Sequence, residues 1–391
     1  MAGIYIHIPF CHKACIYCNF HFSTSLSSVH EMAKCIALEA EIRKEFMKGK
    51  VNTLYLGGGT PSLLDNHDLN EILTAIRSCY EIADDAEVSL EANPDDISPA
   101  RLKEWLKAGI NRLSVGVQSF SDEELKWMNR GHDASRSLQC LKEIKSAGFH
   151  NFSADLIFGS RMSDRRSLLS NLEKLLDMQV PHISAYGLTV EPRTRLHKMV
   201  ESGKTPAPEE EMQAESFLLL SQELQSAGYE HYEISNYALP GFRSRHNSSY
   251  WNGSAYLGLG PSAHSYDGFK MRSWNIADNR QYMEAISKKE LPSQYEVLGE
   301  QEIFNERIML GLRKMEGINL IELSNLFGEE IRKETESRAG TYISRGLLEH
   351  KGDRLMLTQS GKLQADGIAA ALFDVGVIPE RVQFGQRPAA D

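Results

Sequence analysis

Nowhere does the chain approach the ~20 consecutive apolar residues that a membrane-spanning helix requires. Its first residues, Met1-Ala2-Gly3-Ile4-Tyr5-Ile6-His7, have neither the basic nor the apolar segment of a secretory leader. The expectation is a cytoplasmic protein that can visit a membrane surface without being anchored in it. Positive charge is also in short supply: 43 Lys and Arg against 53 Asp and Glu, a formal net charge of −10. A surface that tracks phosphates wants the opposite balance, so nucleic acid is not an expected partner. Cysteine is sparse, with six residues in 391, and a reducing compartment leaves no role for a disulfide framework. Cys35, Cys79 and Cys140 stand alone in helix-like stretches and read as core thiols. There is no low-complexity tract.

What is present is a globular composition, 41% hydrophobic and 25% charged. The length exceeds what one core organises, which predicts a large domain plus a smaller one. β-Branched runs at 4–8, 51–56, 87–92, 112–117, 150–157 and 182–190 alternate with amphipathic stretches. These helical patterns fall at 29–48, 66–80, 99–108, 121–147 (two helices), 165–178 and 209–227, with one more strand at 229–234. Repeated βα units predict parallel strands joined by right-handed crossovers. Ile4, Ile6 and Ile8 oppose Tyr5 and His7, and Val88 and Leu90 oppose Ser89 and Glu91. A sheet covered on both faces would be apolar on both. One oily and one polar face instead predict an α/β partial (β/α)6-type barrel, helices outside and a polar ligand-holding interior. Glu91, Gln118 and Asp155 fall at or near the C-terminal strand ends, where such barrels build their sites.

The expected domains are the barrel at 1–235, a loop-rich extension with a connecting helix at 236–290, a helical module at 291–380 and a frayed tail at 381–391. Within the helical module, 346–358 reads as a hairpin turning at Lys351-Gly352-Asp353, which makes it winged-helix-like.

The strongest chemical signal is Cys11-His12-Lys13-Ala14-Cys15-Ile16-Tyr17-Cys18, a C-x3-C-x2-C run directly after the first strand. Thiolates are the soft ligands of iron–sulfur clusters, and three of them leave a fourth iron open to a substrate or cofactor. Spacing alone also admits a zinc loop, with His7, His12 or His21 as fourth ligand, or three chance core cysteines. The Gly57-Gly58-Gly59 run after the second strand allows close approach of a ligand to the backbone, but it is not a P-loop, since no Gly-Lys-Ser/Thr follows.

The cysteine run, with an aromatic before its last cysteine, resembles the signature of the radical S-adenosylmethionine (radical SAM) family. Tyr5-Ile6-His7-Ile8-Pro9-Phe10, Gly57-Gly58-Gly59-Thr60-Pro61-Ser62, Glu91-Ala92-Asn93-Pro94, Gly116-Val117-Gln118-Ser119-Phe120 and Asp155-Leu156-Ile157-Phe158-Gly159 are similar to one branch of it. That branch holds the oxygen-independent coproporphyrinogen III oxidases and the HemW-type haem chaperones, and the likeness runs from Tyr5 to about Phe373. It implies a [4Fe–4S] cluster on Cys11, Cys15 and Cys18, and S-adenosylmethionine near Tyr5, Tyr17, Gly58, Gly59, Thr60, Glu91, Gln118, Arg130 and Asp155. It further implies one-electron cleavage of the sulfonium to a 5′-deoxyadenosyl radical.

Within the branch, the oxidases carry a further cysteine two positions after the third cluster cysteine, where this chain has Phe20, and a long N-terminal extension not seen before Gly3. Arg245-His246-Asn247-Ser248-Ser249-Tyr250-Trp251 matches the H-N-x-x-Y-W motif of the haem chaperones. The resemblance thus implies haem contact through His246, Asn247, Tyr250 and Trp251, with His264 in reserve as an iron ligand, and an apo-haemoprotein acceptor as partner. Coproporphyrinogen III oxidase is the alternative activity.

Overall fold

The structure is a computed structural model and describes residues 2–373. The expected tail at 381–391, and the end of the module at 291–380, lie outside the described residues. Two compact units divide the described residues: 2–250 with Ser254–Tyr295, and Trp251–Gly253 with 296–373.

The first unit opens with six βα units: β1 (Gly3–Ile8), α1 (Val29–Ile42), β2 (Val51–Gly58), α2 (Asn66–Cys79), β3 (Ile82–Ala92), α3 (Pro99–Ala108), β4 (Arg112–Gln118), α4 (Asp122–Trp127), α5 (Ala134–Ser146), β5 (Asn151–Phe158), α6 (Arg165–Asp177), β6 (His182–Gly187), α7 (Arg195–Glu201) and α8 (Glu210–Ser226). The helices begin where side-chain acceptors meet free backbone N–H groups. Asp65 caps α2, Ser98 caps α3 ahead of Pro99, and Asp164 and Ser167 form a capping box on α6.

β1 to β6 pair in parallel in chain order. Their apolar faces are buried: Ile4, Ile6, Leu54, Leu90, Leu113, Val115 and Ala154 join Ile36, Ile72, Trp105 and Leu141 of the helices in one core. At about 1.5–3 kcal/mol for each large aliphatic chain enclosed, this face holds the sheet curved with its helices outside.

After these units come β7 (Glu230–Glu233), β8 (Asn236–Ala238), α9 (Arg245–Trp251), β9 (Tyr256–Leu259), β10 (His264–Tyr266), β11 (Met271–Asn275), α10 (Asn279–Ser287) and β12 (Ser293–Val297). The strand order is β12-β11-β10-β9-β1-β2-β3-β4-β5-β6-β8-β7, which does not close on itself. The fold is therefore α/β with a partial barrel. The stretch 236–290, expected to be loop-rich, instead carries four strands. β9 pairs in parallel with β1, while β10 and β11 continue outward antiparallel. The strand expected at 182–190 stops at Gly187, where its pairing with β5 ends at Phe158.

The second unit holds α11 (Glu300–Arg313), β13 (Ile318–Asn319), α12 (Leu320–Phe327), α13 (Glu329–Ser344), β14 (Leu348–Lys351), β15 (Arg354–Leu357), α14 (Gln359–Lys362) and α15 (Ala365–Leu372). Its antiparallel sheet runs β13-β15-β14, and the hairpin closes at the Lys351–Arg354 pair around Gly352 at φ +60°. Helix, strand, two helices and a hairpin follow the order of a winged helix.

Candidate functional site

The cysteine loop follows Pro9-Phe10 and is closed by backbone bonds, Cys11 N–H to Ser23 O (3.0 Å) and Ser23 N–H to Pro9 O (2.8 Å). Ile16 pins its centre. The Ile16 N–H donates to Met128 O (3.2 Å), its carbonyl accepts from Leu196 N–H (2.8 Å), and its side chain packs with Met128, Ile157, Leu188 and Leu196. Asn129 adds a bond from Nδ2 to Ala14 O (2.7 Å) while standing in the left-handed region at φ +63°. An apolar residue between two cysteines thus anchors a loop that would otherwise lie on the surface.

All three cysteines line a cavity of about 620 Å³ at the C-terminal ends of the strands, as do Tyr17, Gly58, Gly59, Thr60, Glu91, Gln118, Arg130 and Asp155. Thr60 donates its hydroxyl to Cys11 Sγ (3.4 Å), and Arg130 Nη1 donates to Cys15 Sγ (3.3 Å). Burial pushes the Cys11 thiol up and Cys18 up to about 11. Among the described residues, the three sulfurs are not a set lying within 4.8 Å of one another. A single zinc ion, with Zn–S bonds of ~2.3 Å, wants tighter convergence. Three thiols spread around one cavity suit the corners of a cube, and the donor set fits a [4Fe–4S] cluster.

Opposite the loop, Gly58 and Gly59 bring bare backbone to the cavity. Gly58 has φ +103°, and a Cβ there would lie 2.4 Å from the His7 ring; one on Gly59 would lie 2.5 Å from Phe10 O. No side chain fits at either position. The Gly58 N–H and the Tyr55 hydroxyl both donate to Glu91 (3.1 and 2.8 Å). Glu91 is pushed up to about 7 by burial, against these hydrogen bonds and with the Asp155 charge adding to the rise. Asp155 rises to about 6, also by burial, while bonds from Ser184 and Ser114 oppose it. Arg130 spans the wall, its Nη2 donating to Gly116 O (2.8 Å) and Asn93 Oδ1 (3.1 Å), while its buried Nε has no hydrogen-bond partner. Gln118 ends β4 at φ +67°, backbone strain that is common where a residue is held for a ligand. Two carboxyls, a guanidinium and exposed amides in one recess suit a ligand carrying an ammonium, a carboxylate and hydroxyls.

The other expected residues lie elsewhere. Tyr5 does not line the cavity; its hydroxyl bonds His7 Nδ1 (3.0 Å), and His7 Nε2 meets His21 O (2.9 Å). Burial lowers His7 to about 4, so the ring is neutral. α9 sits at the opposite end of the barrel. His246 is fully buried, its Nδ1 bonded to the Thr53 hydroxyl and its Nε2 to the Tyr250 hydroxyl, both 2.8 Å. Its backbone N–H and that of Arg245 donate to Glu87 (3.0 Å each). Thr53 and Glu87 belong to the beginnings of the β2–β3 ladder, about 13 Å along the strand from Gly57. The His246 ring stacks on Tyr55 (centroids 4.9 Å), and burial lowers it to about 3. In this arrangement neither imidazole nitrogen is available to iron, which departs from the expectation for His246. Asn247 is half-buried beside Ser244, and Trp251 belongs to the second unit, under the Arg313 guanidinium (5.3 Å).

Residues 5–199 match the Radical SAM superfamily and residues 298–363 the HemN C-terminal domain. The haem chaperone HemW of Mycobacterium tuberculosis is 35% identical over 377 residues, 95% of this chain and 94% of that protein. The HemW proteins of Bacillus subtilis and Escherichia coli are 32% and 31% identical, over 95% and 92% of this chain and 99% and 95% of theirs. This chain belongs to the HemW haem chaperone family. Among solved structures, the E. coli coproporphyrinogen III oxidase HemN, a radical SAM enzyme, superposes with a TM-score of 0.80 at 22% identity. That match covers 95% of this chain and 90% of that one, a likeness of fold.

In this member of the HemW family, several site residues had escaped sequence reasoning. Tyr55 donates to Glu91, yet in sequence it is one aromatic among many; Asn93, quoted above only as part of a motif, accepts from Arg130. Arg112 is buried on the inward face of β4, with Glu87 at 4.0 Å as its ion-pair partner. A lone arginine at a strand start carries no signal in the sequence. Met128-Asn129 hold the cysteine loop from more than a hundred residues away.

Proposed function

We propose that this chain holds a [4Fe–4S] cluster on Cys11, Cys15 and Cys18 with S-adenosylmethionine in the adjoining recess, and that it binds haem and passes it to an apo-haemoprotein. The likeness to HemW haem chaperones along more than nine-tenths of the chain supports the function, and the shared cavity supports the two cofactors. Bound there, a reduced cluster would supply one electron to the sulfonium. The protein's part is to seat them: Gly58 and Gly59 by backbone, Glu91 and Asp155 by charge, Arg130 by bracing Cys15.

Haem is proposed to dock on the face of the β10–β11 ladder that continues the barrel's inner, Tyr5–His7 side, with His264 as iron ligand in place of the sealed His246. The observation that carries this is the exposed His264 ring stacked on Trp274, its cross-strand partner, with centroids 5.9 Å apart. Tyr266 and Arg272 pair on the same face. Together they offer an imidazole, flat aromatic surface for the macrocycle and a cation for a propionate. Ser265 and Ser273, on the opposite face, contact Arg43 at the end of the outer helix α1, so the His264 face is the one turned away from the helices.

The test is an anaerobic haem titration of the reconstituted protein, read in the Soret region. His264→Ala should shift the band and weaken binding about tenfold or more, whereas His246→Ala should leave the band in place. A band moved by His246→Ala and indifferent to His264→Ala would return the ligand to α9. Reconstitution should give about four irons per chain, lost in any Cys11, Cys15 or Cys18 to Ala variant; stoichiometric zinc without iron would overturn the cluster. The same preparation should form no protoporphyrinogen IX from coproporphyrinogen III. Phe20, 65% exposed at the cavity, has no thiol to offer there.

A further inference from the structure

On the outside of the barrel, among helix residues given no role above, three side chains converge. His30 lies in the first turn of α1, and His67 and Glu71 lie one turn apart at the start of α2. Each offers one ligand atom, and the three atoms lie within 4.8 Å of one another. The two imidazole rings are 5.3 Å apart between centroids. We propose that His30, His67 and Glu71 form a binding site for one divalent transition-metal ion of the zinc type, separate from the cysteine loop.

Three features support it. The donor set, two imidazoles and one carboxylate, is among those zinc takes, leaving its fourth position to water. Glu71 Oε2 is buried without a hydrogen-bond partner, an uncompensated acceptor that a cation would satisfy. The His30 Nδ1 is bonded to Asp68 Oδ1 at 2.5 Å, and Asp68 is itself buried. A carboxylate on one ring nitrogen fixes the tautomer and leaves the other nitrogen for a metal, as it does behind metal-bound histidines. Two helix N-termini nearby carry partial positive charge that opposes a cation. The carboxylates of Asp65 and Asp68, with Glu71, offset it at the α2 end; Asp65 caps that helix by accepting from Asp68 N–H (2.8 Å).

The geometry needs little adjustment. Ligand atoms ~2.05 Å from a tetrahedral centre stand about 3.4 Å apart. Both histidines are exposed and Glu71 is half-buried, so a rotation of about 1 Å at each tip closes the site without moving backbone. An ion there would tie α1 to α2, whose intervening strand β2 delivers the Gly57–Gly59 turn to the cavity.

The experiment uses full-length protein with its cysteine loop first loaded with iron and sulfide, so that the thiols cannot take the probe. Zinc alone is then supplied by anaerobic equilibrium dialysis, with iron and zinc counted together. One zinc per chain should be retained with the iron content unchanged. His67→Ala and Glu71→Gln should each lower zinc affinity at least tenfold, and Asp68→Asn should lower it about tenfold through His30. Zinc should also raise the melting temperature of the parent protein and not of His67→Ala, a readout independent of stoichiometry. Zinc retained equally by His67→Ala, zinc bound only as iron is lost, or no zinc retained at all would each overturn the site.

Discussion

Glu91 and Asp155 share one recess, and their charges oppose each other there. Both are held above the ordinary carboxyl range by burial, to about 7 and about 6. Between about pH 4 and 7 the folded state therefore keeps protons that the unfolded chain has released. In the ligand-free protein, these two groups should make stability fall as pH rises through that window. A cationic ligand reverses the sense, because it needs the carboxylates ionised. Affinity for S-adenosylmethionine should accordingly rise from pH 5.5 to 7.5, by up to about tenfold per pH unit for each carboxyl still titrating. Calorimetric titration across that range checks it. Asp155→Asn should flatten the profile and weaken binding while leaving iron content intact, and an unchanged profile in that variant would show that Asp155 takes no part.

α9 acts as a plug at the N-terminal end of the barrel, and its cost of removal is set by what it leaves behind. His246→Ala would strip partners from the Thr53 and Tyr250 hydroxyls and open a hole under the Tyr55 ring. Lost packing and orphaned buried hydroxyls together predict about 2–4 kcal/mol of destabilisation, read as a lower denaturation midpoint with iron content and haem band preserved. α1 carries a second fixing point. Buried Glu39 accepts from Arg43, Asn275, the Gly260 N–H (2.8 Å) and the Tyr282 hydroxyl (2.6 Å), which ties the β9–β11 extension and α10 to the barrel. Glu39→Ala leaves a buried guanidinium without its partner and should cost about 3–5 kcal/mol. A loss well below that range would mean the extension is held by its strand pairing alone.

For the molecule as a whole, charge bears on partners. The second unit has the element order of a winged helix, a fold often found on DNA. From Glu296 to Phe373, however, acidic residues outnumber basic ones, within a chain of net charge −10. Affinity for duplex DNA comes first from phosphate neutralisation. Fluorescence anisotropy with a labelled duplex at physiological ionic strength should show no binding; saturable binding that weakens with salt would refute this. Among the described residues no helix is long and apolar enough to cross a membrane.

Local chemistry was legible in the sequence by itself. Alternation along 4–8 and 87–92 told which face of each strand was oily, because a strand's period of two needs no tertiary context. The cysteine loop was legible for the same reason: its three cysteines lie within eight residues, as do the glycines of the 57–59 turn. Glu91, Gln118 and Asp155 could be aimed at one cavity once their strands were taken to be parallel. What only the tertiary structure decided were outcomes that depend on distant pairing. β9, β10 and β11 are only three to five residues long, too short to show an alternation. They become strands because β9 pairs with β1, some 250 residues earlier in the chain. Arg130 reaches Cys15 through a turn held by Asn129 and Met128, contacts that no spacing rule encodes. His246 and His264 look alike in sequence, each an imidazole among aromatics. α9 closes one end of the barrel and buries the first ring, while Arg43 covers the other face of β10 and the second ring stays solvent-exposed. Burial is a property of the assembled sheet, so sequence could nominate both histidines and only the fold could separate them.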